Sequence, residues 1–324
     1  MNKCIVYLGT PEFAATVLKQ LYLAGYEIAA CVTQPDKPVG RHMTMTPPAA
    51  KIMALSLGVP VFQPSSLRTE EFLEQMQDWK PDLVITAAYG KILPSAVLAV
   101  PHIGCINVHA SLLPKYRGAA PVQWSILNGD LVTGITIMKM DAGMDTGDIL
   151  CQRECPIHLN ETTNELMERL ADIGAGLLIE MLTPFIKGEI ISIPQDSSLA
   201  TLCPPIRKEQ GLINWSDTAD SIHNQIRALT GWPGAYTYLD GARLKIYGSI
   251  IPENAKEMLA VYEEDYEKPL PGTIIRGAKS GIYVACGAGC IILTSVQPQS
   301  CRRMHTKECG HNYRPGTRFD EEKK

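Results

Sequence analysis

Nothing in these 324 residues approaches the roughly 20 consecutive apolar residues that a membrane-spanning helix needs. The opening MNKCIVYLG is interrupted too soon to be the apolar core of an export signal, and no Arg- and Ser-rich, acid-poor leader stands in its place. The expectation is a soluble, cytoplasmic chain without membrane contact. A strong charge of one sign is also missing. The net charge is −4, so bulk composition does not advertise a nucleic-acid binder. No internal repeat or low-complexity segment is present, which argues against a repeat array or a disordered tract. The turn Gly9-Thr10-Pro11-Glu12-Phe13-Ala14 sits where a dinucleotide fingerprint would sit, but the second and third glycines are absent. Without them the backbone cannot approach a pyrophosphate in the usual way, and a nicotinamide-dependent dehydrogenase is disfavoured. With no export signal, the ten cysteines read as reduced thiols and not as a disulfide framework.

What is present supports a sizeable core: 45% of the residues are hydrophobic and 20% charged, and the length suits two domains. Short apolar runs predict strands at Lys3–Gly9, Tyr26–Thr33, Val59–Phe62, Asp82–Ala87, Cys105–His109 and Thr133–Met140. Helical spacing follows Pro11 and recurs over Ala49–Leu57, Thr69–Trp79, Ala120–Asn128 and Glu161–Lys187. Strand–helix alternation of this kind predicts an α/β fold, a Rossmann-like, doubly wound, mostly parallel sheet.

Near Ile193–Pro205 the texture turns to Pro and Ser. The division expected is a catalytic domain over residues 1–190, a linker over 191–206 and a smaller domain over 207–324. The last part carries short β-like runs (Ala235–Leu239, Arg243–Tyr247, Gly272–Arg276, Gly281–Ala285, Gly289–Leu293), as in a small antiparallel barrel or sheet. The acidic stretch Tyr262–Lys268 reads as a solvated loop. Charge is unevenly shared: residues 207–324 hold 16 Lys and Arg against 14 Asp and Glu, while residues 1–206 hold 14 against 20. Arg302, Arg303, Lys307, Arg314 and Arg318 gather in the tail, and a basic face there would suit an RNA backbone. Cys286, Cys290, Cys301, His305, Cys309 and His311 lie in the same region, but the first pair falls in strand-like sequence and not in a tight knuckle, so no metal is expected.

The stretch that carries chemistry is Ile106–Pro121. Asn107 and His109, two apart at the end of a predicted strand, share a face. In open α/β sheets that end is where ligands bind. The run Asp141-Ala142-Gly143-Met144-Asp145-Thr146-Gly147-Asp148, with Asp145 some 36 residues after His109, offers three carboxylates and two glycines. An amide, an imidazole and a carboxylate suit acyl transfer to an amine. Asn and protonated His can donate to the oxygen on which negative charge builds, and the carboxylate can orient His and accept a proton.

Asn107-x-His109-x-Ser111-Leu112-Leu113-Pro114 with Arg117-Gly118, followed by Asp145-Thr146-Gly147, resembles the signature of the folate-dependent formyltransferases. Flanking segments extend the resemblance over almost the whole chain, most strongly to about residue 240. They include Gln34-Pro35-Asp36-Lys37-Pro38, Tyr89-Gly90-Lys91-Ile92-Leu93-Pro94, Ile213-Asn214-Trp215 and Trp232-Pro233. The resemblance implies a Rossmann-like formyltransferase domain and a C-terminal OB-like barrel that binds tRNA. It implies 10-formyltetrahydrofolate as donor, the α-amine of initiator methionyl-tRNA as acceptor, and no metal; a monomer is expected. By motif match, Asn107, His109 and Asp145 are catalytic. Ser111, Leu112, Leu113 and Pro114 lie against the folate, and Tyr89, Gly90, Lys91, Ile92 and Leu93 line the pterin pocket.

The resemblance further implies a basic loop meeting the acceptor stem, here Thr33–Pro48 with Lys37 and Arg41. The lysine pair usual after that arginine is replaced by His42-Met43-Thr44-Met45, which leaves fewer phosphate contacts. With Pro35, Pro38, Gly40, Pro47 and Pro48, the loop cannot be helix or sheet throughout and is expected to be mobile before substrate binds. Arg302 and Arg303 are further candidates for tRNA contact. Alternatives that keep the same three groups are a formyltransferase acting on a sugar-nucleotide amine and a hydrolase of formyltetrahydrofolate. From another class, a non-catalytic RNA-binding protein would not need them.

Overall fold

The computed structural model describes residues 3–40, 43–265 and 268–320. The chain forms two compact units: one holds Met1–Pro121, Val132–Pro156 and Leu166–Pro204, the other Val122–Leu131, Ile157–Glu165 and Pro205–Lys324.

The first half of the chain runs β1 (Ile5–Gly9), α1 (Glu12–Leu23), β2 (Ile28–Val32), β3 (Lys37–Val39), β4 (Thr44–Thr46), α2 (Ala49–Ser56) and β5 (Val61–Phe62). It continues through α3 (Glu70–Trp79), β6 (Leu83–Ala87), α4 (Ser95–Leu98), β7 (Gly104–His109), β8 (Arg117–Gly118), α5 (Pro121–Leu127), β9 (Val132–Lys139), β10 (Ile149–Pro156) and α6 (Thr163–Ile186). The main sheet has the order β10-β9-β7-β6-β1-β2-β5. Its five strands from β7 to β5 are parallel, as the alternation predicts. Every residue of β1 and β6 is buried, which is why both read as unbroken apolar runs. On α1, Phe13, Val17, Leu18 and Leu21 face inward at helical spacing. The Thr69 hydroxyl caps α3 by accepting from Phe72 N at 3.3 Å. Phe72 and Met76 of α3 join Val6, Leu8, Val32 and Val84 in one core. Gly174 lets α6 approach the sheet closely, because a Cβ there would meet Val108 Cγ1 at 3.0 Å.

β9 occupies the expected segment but runs antiparallel to β7, and strand direction is not written in a local apolar pattern. β10 has no counterpart among the sequence-based strands. Gln152, Arg153 and Glu154 are exposed on this edge strand, so the alternation is lost where only one neighbour is paired. Thr33–Pro48 contains the antiparallel hairpin β3–β4, with Lys37 opposite Thr46. Its base is tied: Lys51 Nζ donates to both Asp36 oxygens at 2.8 and 2.9 Å, and Gln63 Nε2 to Gln34 O at 2.8 Å.

The C-terminal half holds β11 (Leu202–Cys203), α7 (Ala219–Ala228), β12 (Ala235–Leu239), β13 (Ala242–Ile250), α8 (Ala255–Asp265), β14 (Ile274–Ala278), β15 (Gly281–Ala285), β16 (Cys290–Pro298), β17 (Met304–His305) and α9 (Thr306–Cys309). Strands pair antiparallel in the order β12-β13-β16-β15-β14, with β17 on β16. Trp215 anchors their core, stacking on Phe319 at 5.3 Å and donating from Nε1 to Thr237 Oγ1 at 3.0 Å. The acidic stretch is not a solvated loop through its described part. Tyr262 is buried, 8% exposed, on α8, against Ile275, Tyr283 and Ile292. Tyr266 and Glu267 lie outside the described residues. α7 escaped the sequence reading because His223 and Arg227 sit on its buried face beside Ile222 and Ile226. Among the described residues, no helix is long and apolar enough to cross a membrane.

Candidate active site

β6 and β7 end side by side, so the groups at their carboxyl ends reach the sheet edge where open α/β folds hold ligands. Thr86 and Asn107 are register partners there, and Thr86 Oγ1 donates to Asn107 Oδ1 at 2.7 Å. With its oxygen engaged, the Asn107 amide offers N–H donors. Two residues on, His109 is 6% exposed. Its Nε2 lies 2.9 Å from Tyr116 O, which can only accept, so Nε2 carries a proton. Nδ1 is the other ring nitrogen, and it faces Asp145 Oδ2 at 3.7 Å.

Asp145 is held in place from several sides. Gly118 N donates to the same Oδ2 at 2.9 Å. Asp145 itself has φ 55°, a left-handed conformation that non-glycine residues keep only where surroundings enforce it. A Cβ on Gly147 would fall 2.0 Å from Lys139 O, so that position in the loop requires glycine. The other two carboxylates of the loop are turned elsewhere. Asp141 Oδ1 accepts from Gly143 N at 3.0 Å and from Thr146 Oγ1 at 2.7 Å, and Asp148 accepts from Ser192 Oγ at 2.9 Å. Of the three, Asp145 is the one beside the imidazole.

The Ser111–Pro114 turn is pinned by residues the motif does not contain. Thr136 Oγ1 donates to Ser111 O at 2.7 Å and accepts from Leu113 N at 3.0 Å, while Gln152 Nε2 donates to Leu113 O at 2.8 Å. Ser111 and Leu113 are buried; Leu112 and Pro114 are partly open. The Tyr89–Leu93 segment splits likewise. Tyr89 and Leu93 turn into the core, and Ile92 is 64% exposed. Thr10 Oγ1 and Gln34 Nε2 both donate to Tyr89 O at 3.1 Å, and Lys91 Nζ donates to Ser65 O at 3.0 Å. Gly90 (φ 82°) keeps main-chain groups open beside Ile92. An apolar side chain next to accessible backbone suits a flat ring with polar edges.

Residues 195–203, within the stretch expected to be a linker, pack against this site. Arg117 N donates to Thr201 O and Ala119 N to Cys203 O, at 2.8 and 2.9 Å. Cys203 Sγ donates to Tyr116 O at 3.1 Å, sharing the carbonyl that holds His109. Burial pushes the Cys203 thiol up to about 11. Gln195 joins Arg117 to the Asp145 loop through four hydrogen bonds. The signals missed were single polar residues (Thr86, Thr136, Gln152, Gln195) whose partners lie 16 to 78 positions away.

Of the basic candidates, Lys37 is exposed on β3, while Arg41 lies outside the described residues. Arg302 pairs with Glu308 at 3.2 Å. Arg303 lies over the Tyr247 ring at 4.5 Å and donates to Ser295 Oγ at 2.9 Å. None of the ten cysteines is in a disulfide, and among the described residues no three His, Cys, Asp or Glu side chains group as a metal site.

Two family models match this chain: Formyl transferase over residues 2–182, and Formyl transferase, C-terminal domain, over residues 205–314. The Acetivibrio thermocellus methionyl-tRNA formyltransferase is 45% identical over 314 residues, covering 96% of this chain and 98% of the relative. That of Geobacter sulfurreducens is 43% identical over 319 residues, covering 98% and 96%. Among solved structures, HypX from Aquifex aeolicus in complex with tetrahydrofolic acid aligns with a TM-score of 0.65 at 15% identity, over 95% of this chain and 47% of that one. WlaRD, a sugar 3N-formyl transferase, aligns at 0.63 and 19% identity, over 93% and 99%. At these identities the structural likeness speaks to fold. The chain belongs to the formyl transferase family.

Proposed function

We propose that this formyl transferase moves the formyl group of 10-formyltetrahydrofolate onto the α-amine of methionine carried by initiator methionyl-tRNA, the step that prepares the initiator for translation. The observation that carries the reading is the meeting of His109 with Asp145 beside Asn107 at the end of β7. The acceptor is supported by two relatives that match over nearly their full length and share one name. Residues 1–190 supply catalysis, residues 191–206 connect and also brace the site, and residues 207–324 hold tRNA together with Lys37, Arg41, Arg302 and Arg303.

The chemistry follows from the groups present. The α-amine attacks the formyl carbon, and negative charge gathers on the formyl oxygen. Asn107, its own oxygen tied to Thr86, donates to that charge, and so does Nδ1 of His109 when protonated. Asp145 stabilises the imidazolium and takes up the proton that the attacking nitrogen sheds. The new C–N bond forms, the bond from the formyl carbon to N10 of the folate breaks, and a proton ends on N10. Ser111–Pro114 and Tyr89–Leu93 hold the folate, with Ile92 and the backbone at Gly90 as the accessible part. The chain acts as a monomer in the cytoplasm and uses no metal.

A formyl-transfer assay offering charged initiator tRNA and an amino-sugar nucleotide side by side tests the reading. Formylation of the tRNA is expected. Transfer to the sugar amine alone, or release of formate without transfer, would overturn the acceptor assignment.

A further inference from the structure

Gln195 saturates its amide in one place. Its Oε1 accepts from Arg117 Nε at 3.0 Å and from Nη2 at 2.8 Å, and its Nε2 donates to Asp145 O at 2.8 Å and to Gly147 O at 2.7 Å. Both lone pairs and both N–H groups of the amide are therefore used. The next residue after Arg117 is Gly118, whose N–H donates to Asp145 Oδ2 at 2.9 Å. These contacts close a ring: Asp145 carboxylate, Gly118 amide, Arg117 guanidinium, Gln195 amide, Asp145 carbonyl. Both the backbone and the side chain of Asp145 are thereby fixed against β8, while Asp145 sits at φ 55°, a conformation that needs outside support.

We infer that Gln195 is a positioning residue for Asp145, setting how the carboxylate faces Nδ1 of His109. The inference rests on the roles given above to His109 and Asp145. Geometry at reacting groups is worth much: a misplacement of about 1 Å can cost on the order of a hundredfold in rate. The side chain must be an amide. A carboxylate there would satisfy Arg117, yet would set an oxygen against the carbonyls of Asp145 and Gly147 where two N–H donors now stand. Gln195 is only half-buried, so its replacement leaves the core intact. Gln195 lies between the strands and helices of the first unit, in the stretch that composition marks as a connector, which is why no motif points to it.

The test compares the full-length parent with Gln195→Ala and Gln195→Glu. In both variants kcat for transfer should fall at least about tenfold, with KM for donor and acceptor within roughly twofold and the pH profile of kcat displaced. Amide hydrogen exchange at Gly118 should speed up by at least about tenfold, with the melting temperature within a few degrees of the parent. Parental kcat in Gln195→Ala would overturn the inference, as would a fall in kcat without faster exchange at Gly118. A parent that formylates neither tRNA nor a sugar amine would sink the proposed function instead. The exchange at Gly118 would still decide whether Gln195 braces Asp145, unchanged exchange overturning the brace.

Discussion

Thr86 Oγ1 donates to Asn107 Oδ1 at 2.7 Å, from one parallel strand to its register partner on the next. This contact decides which end of the Asn107 amide is offered at the sheet edge. With Oδ1 engaged, Nδ2 carries the donors. An amide free to flip would present oxygen to a developing oxyanion half of the time.

Asn107→Ala should lower kcat by roughly 10²–10³, the usual cost of one oxyanion donor, with folate affinity nearly unchanged. Thr86→Val should give a smaller loss, about tenfold, because the donor survives but its orientation is no longer set. Thr86→Ser should recover most of it. Steady-state kinetics with equilibrium folate binding on the three variants checks this, and parental turnover in Asn107→Ala would remove the assignment.

Asp145→Asn should keep the fold and lower kcat at least about a hundredfold. Asparagine tolerates the left-handed conformation seen at φ 55°, and its oxygen can still accept from Gly118 N. What it lacks is the charge facing His109 Nδ1 at 3.7 Å. An unchanged melting curve with unchanged kinetics would reduce Asp145 to a loop former.

The proposed tRNA contact of the Thr33–Pro48 segment should be read out at Arg41, which lies outside the described residues. In that proposal His42-Met43-Thr44-Met45 follows Arg41 and supplies no lysine, so one guanidinium has little backup. Arg41→Ala should raise KM for charged tRNA by roughly tenfold, the scale of a charge-assisted hydrogen bond, and leave KM for the donor alone. Arg41→Lys should restore only part, since an ammonium cannot make two parallel bonds to a phosphate. Equal rates in all three proteins would point the acceptor site elsewhere.

His223 predicts a pH dependence of stability. Nδ1 lies 3.0 Å from Ser249 Oγ and Nε2 3.0 Å from Leu159 O. Burial lowers its pKa from 6.5 and nearby Arg227 adds to this, while the Leu159 bond and Asp220 oppose it. The unfolded chain therefore binds the proton more readily. Stability from this site is full above pH 6.5 and is lost as pH falls below that value toward the folded pKa. Calorimetry between about pH 7.5 and about pH 5.5 should show a shallower fall in melting temperature for His223→Gln than for the parent. Identical slopes would show that His223 takes up its proton equally readily in the folded and the unfolded chain.

The sequence by itself determined most of the scaffold and singled out Asn107 and His109 as a pair on one strand face. Buried parallel strands such as β1 and β6 are apolar throughout, and α1 and α3 repeat their buried residues at helical spacing, so local pattern was enough. Asn107 and His109 share a face because they are two apart on one strand, which any strand guarantees. Tertiary structure decided the rest. The antiparallel course of β9, the exposed edge strand β10 and the buried Tyr262 depend on which neighbours each segment meets. Among Asp141, Asp145 and Asp148, spacing favoured none and only the motif resemblance pointed to Asp145, which the turn of the loop brings to the imidazole. Thr86, Thr136, Gln152 and Gln195 look like ordinary polar residues until the chain is folded. A hydrogen bond is fixed by position in space, and partners distant in sequence leave no local pattern to read.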